Sequence, residues 1–177
     1  MLALKSGFNV ILIDERAHGK SDGRTITFGV KERYDVLEWV KYANSRFGDT
    51  CPIILTGISM GGATVLMASD LDLPKNVVGI IADCPYSSPR EIIMHFCKSF
   101  KMPTKLVYPF AYLGALIYGR FNVHKSSAYQ SVQNTNIPIL LIHGEGDTLV
   151  PCDMSRKLHE ACKSERKFLS LSIFSSL

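Results

Sequence analysis

The sequence predicts an α/β fold built around a parallel sheet, and two observations carry that expectation. Short, continuous, apolar and β-branched runs recur at residues 9–13, 52–55, 76–82 and 137–142. Such runs suit strands covered on both faces, where no polar alternation is needed. Between them lie longer stretches whose apolar residues repeat at helical spacing.

The elements follow in order. Residues 1–5 read as the tail of a helix, and residues 9–13, after Gly7, as a buried strand. Residues 14–27 are polar and contain glycine, hence a loop. Val30, Tyr34, Leu37, Val40 and Phe47 share one helical face, and Gly48 ends that helix. A second strand over 52–55 runs into a helix over 60–68. A third strand over 76–82 ends in Asp83-Cys84-Pro85, and a fourth covers 137–142. A helix over 154–163 and a strand over 167–171 complete the alternation. Residues 86–136 interrupt it. They are rich in Phe, Tyr, Met and Leu and are punctuated by Pro89, Pro103 and Pro109, which suggests a helical cap or lid. The expected organisation is therefore a core over 1–85, a cap over 86–136 and the rest of the core over 137–177.

Composition narrows the function classes. The 177 residues suffice for one domain with a substantial core. With 46% apolar and 20% charged residues, the chain has the balance of a soluble globular protein. The net charge of +4 is mild, and the basic residues from Arg156 to Lys167 alternate with Glu160 and Glu165, as on a solvated helix face. No basic and aromatic interleaving points to nucleic acid. The longest apolar stretch, 106–118, is interrupted by Pro109 and Gly114 and is too short for a bilayer span. Cys51, Cys84, Cys97, Cys152 and Cys162 form no C-x-x-C pair, and no signal peptide is evident. Reduced thiols and a cytoplasmic location are the expectation.

The strongest motif is Gly57-Ile58-Ser59-Met60-Gly61, a G-x-S-x-G run between an apolar strand and a helix. That setting is a nucleophile elbow. Gly57 and Gly61 are expected to allow the sharp turn and the close strand–helix approach. Ser59 projects from the turn as nucleophile, and the Met60 amide at the helix N-terminus faces a developing oxyanion. Asp147 follows the fourth strand in His143-Gly144-Glu145-Gly146-Asp147, on the sheet edge where Ser59 also lies. Asp83, at another strand end, is a second-choice acid. His18 and His143 are expected to pin their loops rather than to do chemistry.

A third stretch, Asp14-Glu15-Arg16-Ala17-His18-Gly19-Lys20-Ser21, completes a pattern that resembles the D-x-R-x-H-G-x-S loop of many α/β-hydrolases. The three motifs stand in that superfamily's order. The chain is most similar to its bacterial serine-hydrolase branch of esterases, monoglyceride-type lipases and serine aminopeptidase-like proteins, over about residues 1–171. The resemblance implies an α/β-hydrolase fold, a mostly parallel sheet flanked by helices with a helical cap insertion. It further implies Ser59 as nucleophile, Asp147 as the acid orienting a histidine, and Met60 N–H as half of the oxyanion hole. An ester, thioester or amide carbonyl is attacked to give an acyl-enzyme that water hydrolyses, with no metal or organic cofactor. A small-molecule acyl substrate is the implied partner.

The chain also departs from that pattern. The family's catalytic histidine follows the last strand, and no histidine follows His159 here. The strands and the His-Gly oxyanion loop that precede the equivalent of Gly7 in the family have no counterpart. The resemblance thus implies a hydrolase cut at both ends and catalytically incomplete, the triad lacking its base. The alternative expectation is a non-catalytic hydrolase-like module that binds a hydrophobic acyl ligand through the apolar cap.

Overall fold

The computed structural model describes residue 5 and residues 7–173. In chain order it contains α1 (Glu32–Phe47), β1 (Ile53–Ile58), α2 (Met60–Ala68), β2 (Val77–Asp83), α3 (Pro89–Ser99) and α4 (Thr104–Ile117). The single turn α5 (Ala128–Ser131), then β3 (Ile139–Gly144), α6 (Cys152–Ala161) and β4 (Lys167–Ser172) follow. The four strands form one parallel sheet in the order β1-β2-β3-β4. This is the expected α/β architecture.

Register decides which side chains meet. Leu55 lies beside Ile80 and Ile80 beside Ile139, while Gly57, Ala82, Leu141 and Leu169 make the next row. Residues two apart share a face of the pleat, so both rows point the same way. Helix α2 (MGGATVLMA) packs over β1 and β2 on the row side, and α6 packs against β3 and β4. Having no charged residue on any face, α2 is buried from Gly62 to Ala68. Leu66, Met67, Ile80, Ile139, Leu141 and Leu158 are among the large members of the resulting core. Each contributes about 1.5–3 kcal/mol by leaving water.

Between β2 and β3 the chain turns helical. Ser88 caps α3, its Oγ accepting the Glu91 N–H at 3.1 Å, with Pro89 in the first turn. Helix α4 has no buried residue, yet one side of it rests on a second, smaller apolar cluster. Tyr108, Tyr112 and Ala115 pack against Val30, Phe121 and Val123.

Several expectations are corrected. Residues 9–13 form no strand, and Val10, Ile11, Leu12 and Ile13 are exposed. Apolar β-branched residues favour a strand only where a neighbour satisfies the backbone, and among the described residues none pairs with this run. For the same reason β1 is an edge, with Ile54 and Ile58 exposed rather than buried. The buried side of α1 is offset from the apolar stripe. Tyr34 and Phe47 face solvent, while Glu32 and Arg33 are buried by polar partners. Strand β3 begins at Ile139 rather than 137, although the Pro138 carbonyl still accepts Ile80 N–H at 2.9 Å. Helix α6 runs Cys152–Ala161, starting directly after Pro151, and β4 extends one residue beyond the expected 167–171. The helix tail expected over 1–5 lies, apart from Lys5, outside the described residues.

Candidate active site

Ser59 sits between β1 and α2 with φ 53° and ψ −113°, a conformation that costs a non-glycine residue energy unless its surroundings impose it. The surroundings are specific. Ser59 N–H donates to the Asp83 carbonyl at 2.8 Å, tying the turn to β2, and the Ser59 carbonyl accepts Ala63 N–H at 3.0 Å. A Cβ on Gly57 would stand 2.3 Å from the Gly61 carbonyl carbon, and one on Gly62 would stand 3.0 Å from the Asp83 oxygen. A Cβ on Gly61 would meet nothing nearer than Glu15 Oε1 at 3.9 Å. The close approach therefore rests on Gly57 and Gly62, which corrects the expectation for Gly61. Among the described residues nothing hydrogen-bonds Ser59 Oγ. Met60 N–H is the first amide of α2 and has no partner inside the helix, at the end where the helix dipole is positive.

Asp147 lies three residues beyond β3. Since β1 and β3 flank β2 in parallel, Ser59 and Asp147 leave the sheet at the same C-terminal edge. The loop after β3 is wound around this carboxylate. Its Oδ1 accepts Leu149 N–H at 2.8 Å and Val150 N–H at 2.9 Å, and Asp147 N–H donates to Gly144 O at 3.1 Å. His143 is fully buried beneath, with Nε2 3.7 Å from Asp147 Oδ2. Its Nε2 donates to Val150 O at 2.9 Å and its Nδ1 accepts the Ser155 hydroxyl at 2.7 Å. Both nitrogens are thus engaged in holding the loop, as expected of this residue. From α3, His95 reaches this loop through a 3.2 Å contact between Nε2 and Thr148 O.

The 14–27 loop is held by its own motif. Asp14 Oδ2 accepts Lys20 N–H at 3.0 Å, and Ser21 Oγ donates to Asp14 O at 2.7 Å. His18 Nδ1 bonds Arg16 O at 3.0 Å, which places this histidine in the pinning role expected of it. Arg16 reaches α1 with a bidentate pair to Asp35, 2.6 Å from Nε and 2.5 Å from Nη2. That pairing raises the Arg16 guanidinium above its ordinary value.

Sequence reasoning missed a buried polar cluster beside α2. Glu15, from the same loop, lies beside Thr64, whose Oγ1 donates to Met60 O at 2.8 Å. Burial pushes the Glu15 carboxyl up. Glu32 and Asp35 add to that rise, and the Thr64 hydroxyl and His18 oppose it. Glu15 Oε2 is buried without a hydrogen-bond partner, as is the Tyr86 hydroxyl. Burial first, then Glu15 and Glu32, raises the Tyr86 phenol well above its usual range. Glu32 accepts Thr27 N–H at 2.8 Å and the Thr27 hydroxyl at 2.5 Å. Nothing local in Asp14-Glu15-Arg16 separates Glu15 from a solvated loop residue; the signal lies in the tertiary packing. Asp83 Oδ1 is likewise buried and unpartnered at the end of β2, while its main-chain oxygen serves the elbow. Among the described residues no cluster of His, Cys, Asp or Glu is arranged to hold a metal, and no disulfide joins any of the five cysteines.

Comparison with known proteins agrees with this geometry. Residues 3–125 match the family model of serine aminopeptidase, S33. The chain is 26% identical over 160 residues to the uncharacterized protein YqkD of Bacillus subtilis, covering 90% of this chain and 52% of that protein. It is 25% identical over 174 residues to the lysophosphatidylserine lipase ABHD12 of Macaca fascicularis, covering 94% of this chain and 41% of the lipase. The Pyrococcus furiosus esterase Pf2001 superposes with a TM-score of 0.72 at 27% identity, over 96% of this chain and 62% of the esterase. The chain thus spans about half the length of the curated relatives it matches.

Proposed function

Because the chain belongs to the serine aminopeptidase S33 family of α/β-hydrolases, we propose that it carries the nucleophile and acid portion of a serine hydrolase acting on a carboxylic ester, thioester or amide. The observation that carries this reading is the backbone of Ser59, held at φ 53° between strand and helix with the Met60 amide beside it. A hydroxyl presented on such a turn is aimed at a carbonyl carbon whose oxygen can meet Met60 N–H. Attack by Ser59 Oγ forms the acyl–oxygen bond. The leaving alcohol, thiol or amine departs with a proton, and water then releases the acid. Asp147 is suited to orient a histidine in this scheme, its Oδ1 already fixed by two amides. Helices α3 to α5 serve as the cap.

Activation of Ser59 needs a base, and among the described residues no histidine bonds it. The reading therefore includes catalytic incompleteness: turnover at the residual level that oxyanion stabilisation and binding leave when a triad member is absent. The test is intact-mass analysis after incubation with a fluorophosphonate, with and without added imidazole as a diffusible base. The expected result is a single adduct that accumulates with imidazole and is absent from Ser59→Ala. Rapid labelling without imidazole would overturn the incompleteness. No adduct in either condition from a folded chain would overturn the acyl-transfer reading. Combined with saturable fatty-acid binding, that outcome would favour a non-catalytic acyl-binding module.

A further inference from the structure

Helix α4 has two apolar sides, and the cluster of Val30, Phe121 and Val123 uses only one. At 100° per residue, Tyr108, Tyr112 and Ala115 share the side that packs on Phe121 and Val123. Leu106, Phe110, Leu113 and Ile117 fall within a sector of roughly 60° on the opposite side. All four are exposed: 61% for Leu106, 69% for Phe110, 50% for Leu113 and 58% for Ile117. Phe100, Met102 and Tyr118 extend the exposed apolar surface at the two ends of the helix. A contiguous stripe of this kind, unlike scattered surface leucines, marks an interaction surface.

Charge identifies what it meets. Residues 92–144 contain no Asp or Glu, yet they carry Lys98, Lys101, Lys105, Arg120 and Lys125. All five are exposed, and none forms an ion pair among the described residues. A second copy of the chain would bring these cations against their own kind. An anionic lipid surface offers hydrocarbon to the stripe and phosphate to the cations at once. With 14 residues α4 is about 21 Å long, too short to cross a hydrocarbon core of about 30 Å. Among the described residues no helix is long and apolar enough to cross a membrane. The fitting geometry is a helix lying in the interface plane.

We propose that the outer face of α4, together with the exposed cations Lys98, Lys101, Lys105, Arg120 and Lys125 of the helix and its flanking segments, docks the protein reversibly onto an anionic lipid interface. This surface stands apart from the acyl-transfer reading, so failure of Ser59 labelling leaves it intact.

The test is co-sedimentation with vesicles of phosphatidylglycerol and phosphatidylcholine in equal parts, against vesicles of phosphatidylcholine alone. Wild type is expected to pellet with the mixed vesicles only. Phe110→Asp combined with Leu113→Asp should lower the partition coefficient at least about tenfold, since it removes two inserted side chains and adds two repelled charges. Lys101→Ala and Lys105→Ala should each lower it about fivefold, the equivalent of about 1 kcal/mol per cation at such a surface. That difference should fade in high salt. These positions are exposed, so far-UV dichroism and melting temperature should not change. As a separate readout, Phe110→Trp should add an emission component that shifts to the blue only with the mixed vesicles. Absence of binding to mixed vesicles would overturn the proposal. So would equal binding to phosphatidylcholine, or a partition indifferent to both sets of substitutions. A dimer that Phe110→Asp splits, with no vesicle binding, would assign the stripe to a second copy instead.

Discussion

Three glycines at the elbow make different demands, and substituting each by alanine should separate them. In Gly57→Ala the new Cβ falls 2.3 Å from the Gly61 carbonyl carbon and 2.4 Å from its oxygen. Carbon atoms in contact rest at about 3.5–4.0 Å, so the overlap exceeds roughly 1 Å. Overpacking by a methylene ordinarily costs about 1–3 kcal/mol, a figure that assumes side chains can move aside. Here both sides are main chain. Gly57 lies in the β1–β2 ladder opposite Ala82, and the Gly61 peptide belongs to α2, whose entry is tied to β2 through Ser59 N–H and Asp83 O. Strand and helix must separate, so a loss of at least about 3 kcal/mol is expected. For a chain of this size that is roughly 6–12 °C in melting temperature. Gly62→Ala, 3.0 Å from the Asp83 oxygen, should lose about half as much. Gly61→Ala meets only Glu15 Oε1 at 3.9 Å and should be neutral or gain up to about 1 kcal/mol of helix preference. Thermal unfolding followed by circular dichroism ranks the three without any need for activity. A Gly57→Ala variant melting within about 2 °C of wild type, or a larger loss at Gly61, would refute the close-approach argument.

Other consequences can be measured on the same footing. The Glu15 carboxyl is raised in the folded state above its unfolded value of about 4.3, so the native chain binds the extra proton between those two values. Stability therefore falls as pH rises through that window. Glu15→Gln should be more stable than wild type at pH 7 and lose that advantage near pH 4, as denaturant melts at both pH values will show. His143→Ala removes a fully buried ring and strands the Ser155 hydroxyl and Val150 carbonyl; a loss of about 2–4 kcal/mol in urea unfolding is expected. Arg33 bonds both Asp70 and Ser126 from a buried position, so Arg33→Ala should cost about 3 kcal/mol. Adding Asp70→Ala should recover at least about 1 kcal/mol, a coupling that a double-mutant cycle reads directly.

What could be read from the sequence was what short-range chemistry dictates. The strands at Ile53, Val77, Ile139 and Lys167 were legible because their apolar runs also find neighbours in the ladder. Residues 9–13 carry the same signal and form no strand, because pairing is a property of the neighbour as well as of the run. The elbow was legible from G-x-S-x-G, yet the choice between Gly61 and Gly62 as the crowded position depends on where β2 passes, which no local pattern records. The loop motif Asp14–Ser21 was legible as a unit, while the burial of Glu15 against α2 was not. Its neighbours Thr64, Glu32 and Tyr86 come from three separate parts of the chain. The unused side of α4 could be seen only once Tyr108 and Tyr112 were known to face inward.

The elbow's geometry is accounted for without reference to catalysis. Gly57 and Gly62 let strand and helix touch, the Asp83 carbonyl holds Ser59 N–H, and α2 continues the turn into a wholly buried helix. A left-handed serine persists there because releasing it would unseat α2, which carries Leu66 and Met67 of the core. Under the proposed acyl-transfer reading, the orientation of Ser59 and the supply of a base are therefore separable: the first is built into the packing of β1, α2 and β2, and for the second no histidine among the described residues bonds Ser59. Labelling of Ser59 that depends on added imidazole would express that separation directly. A chain with Gly57→Ala should then lose the adduct even with imidazole present, since the base would be supplied and the orientation would not.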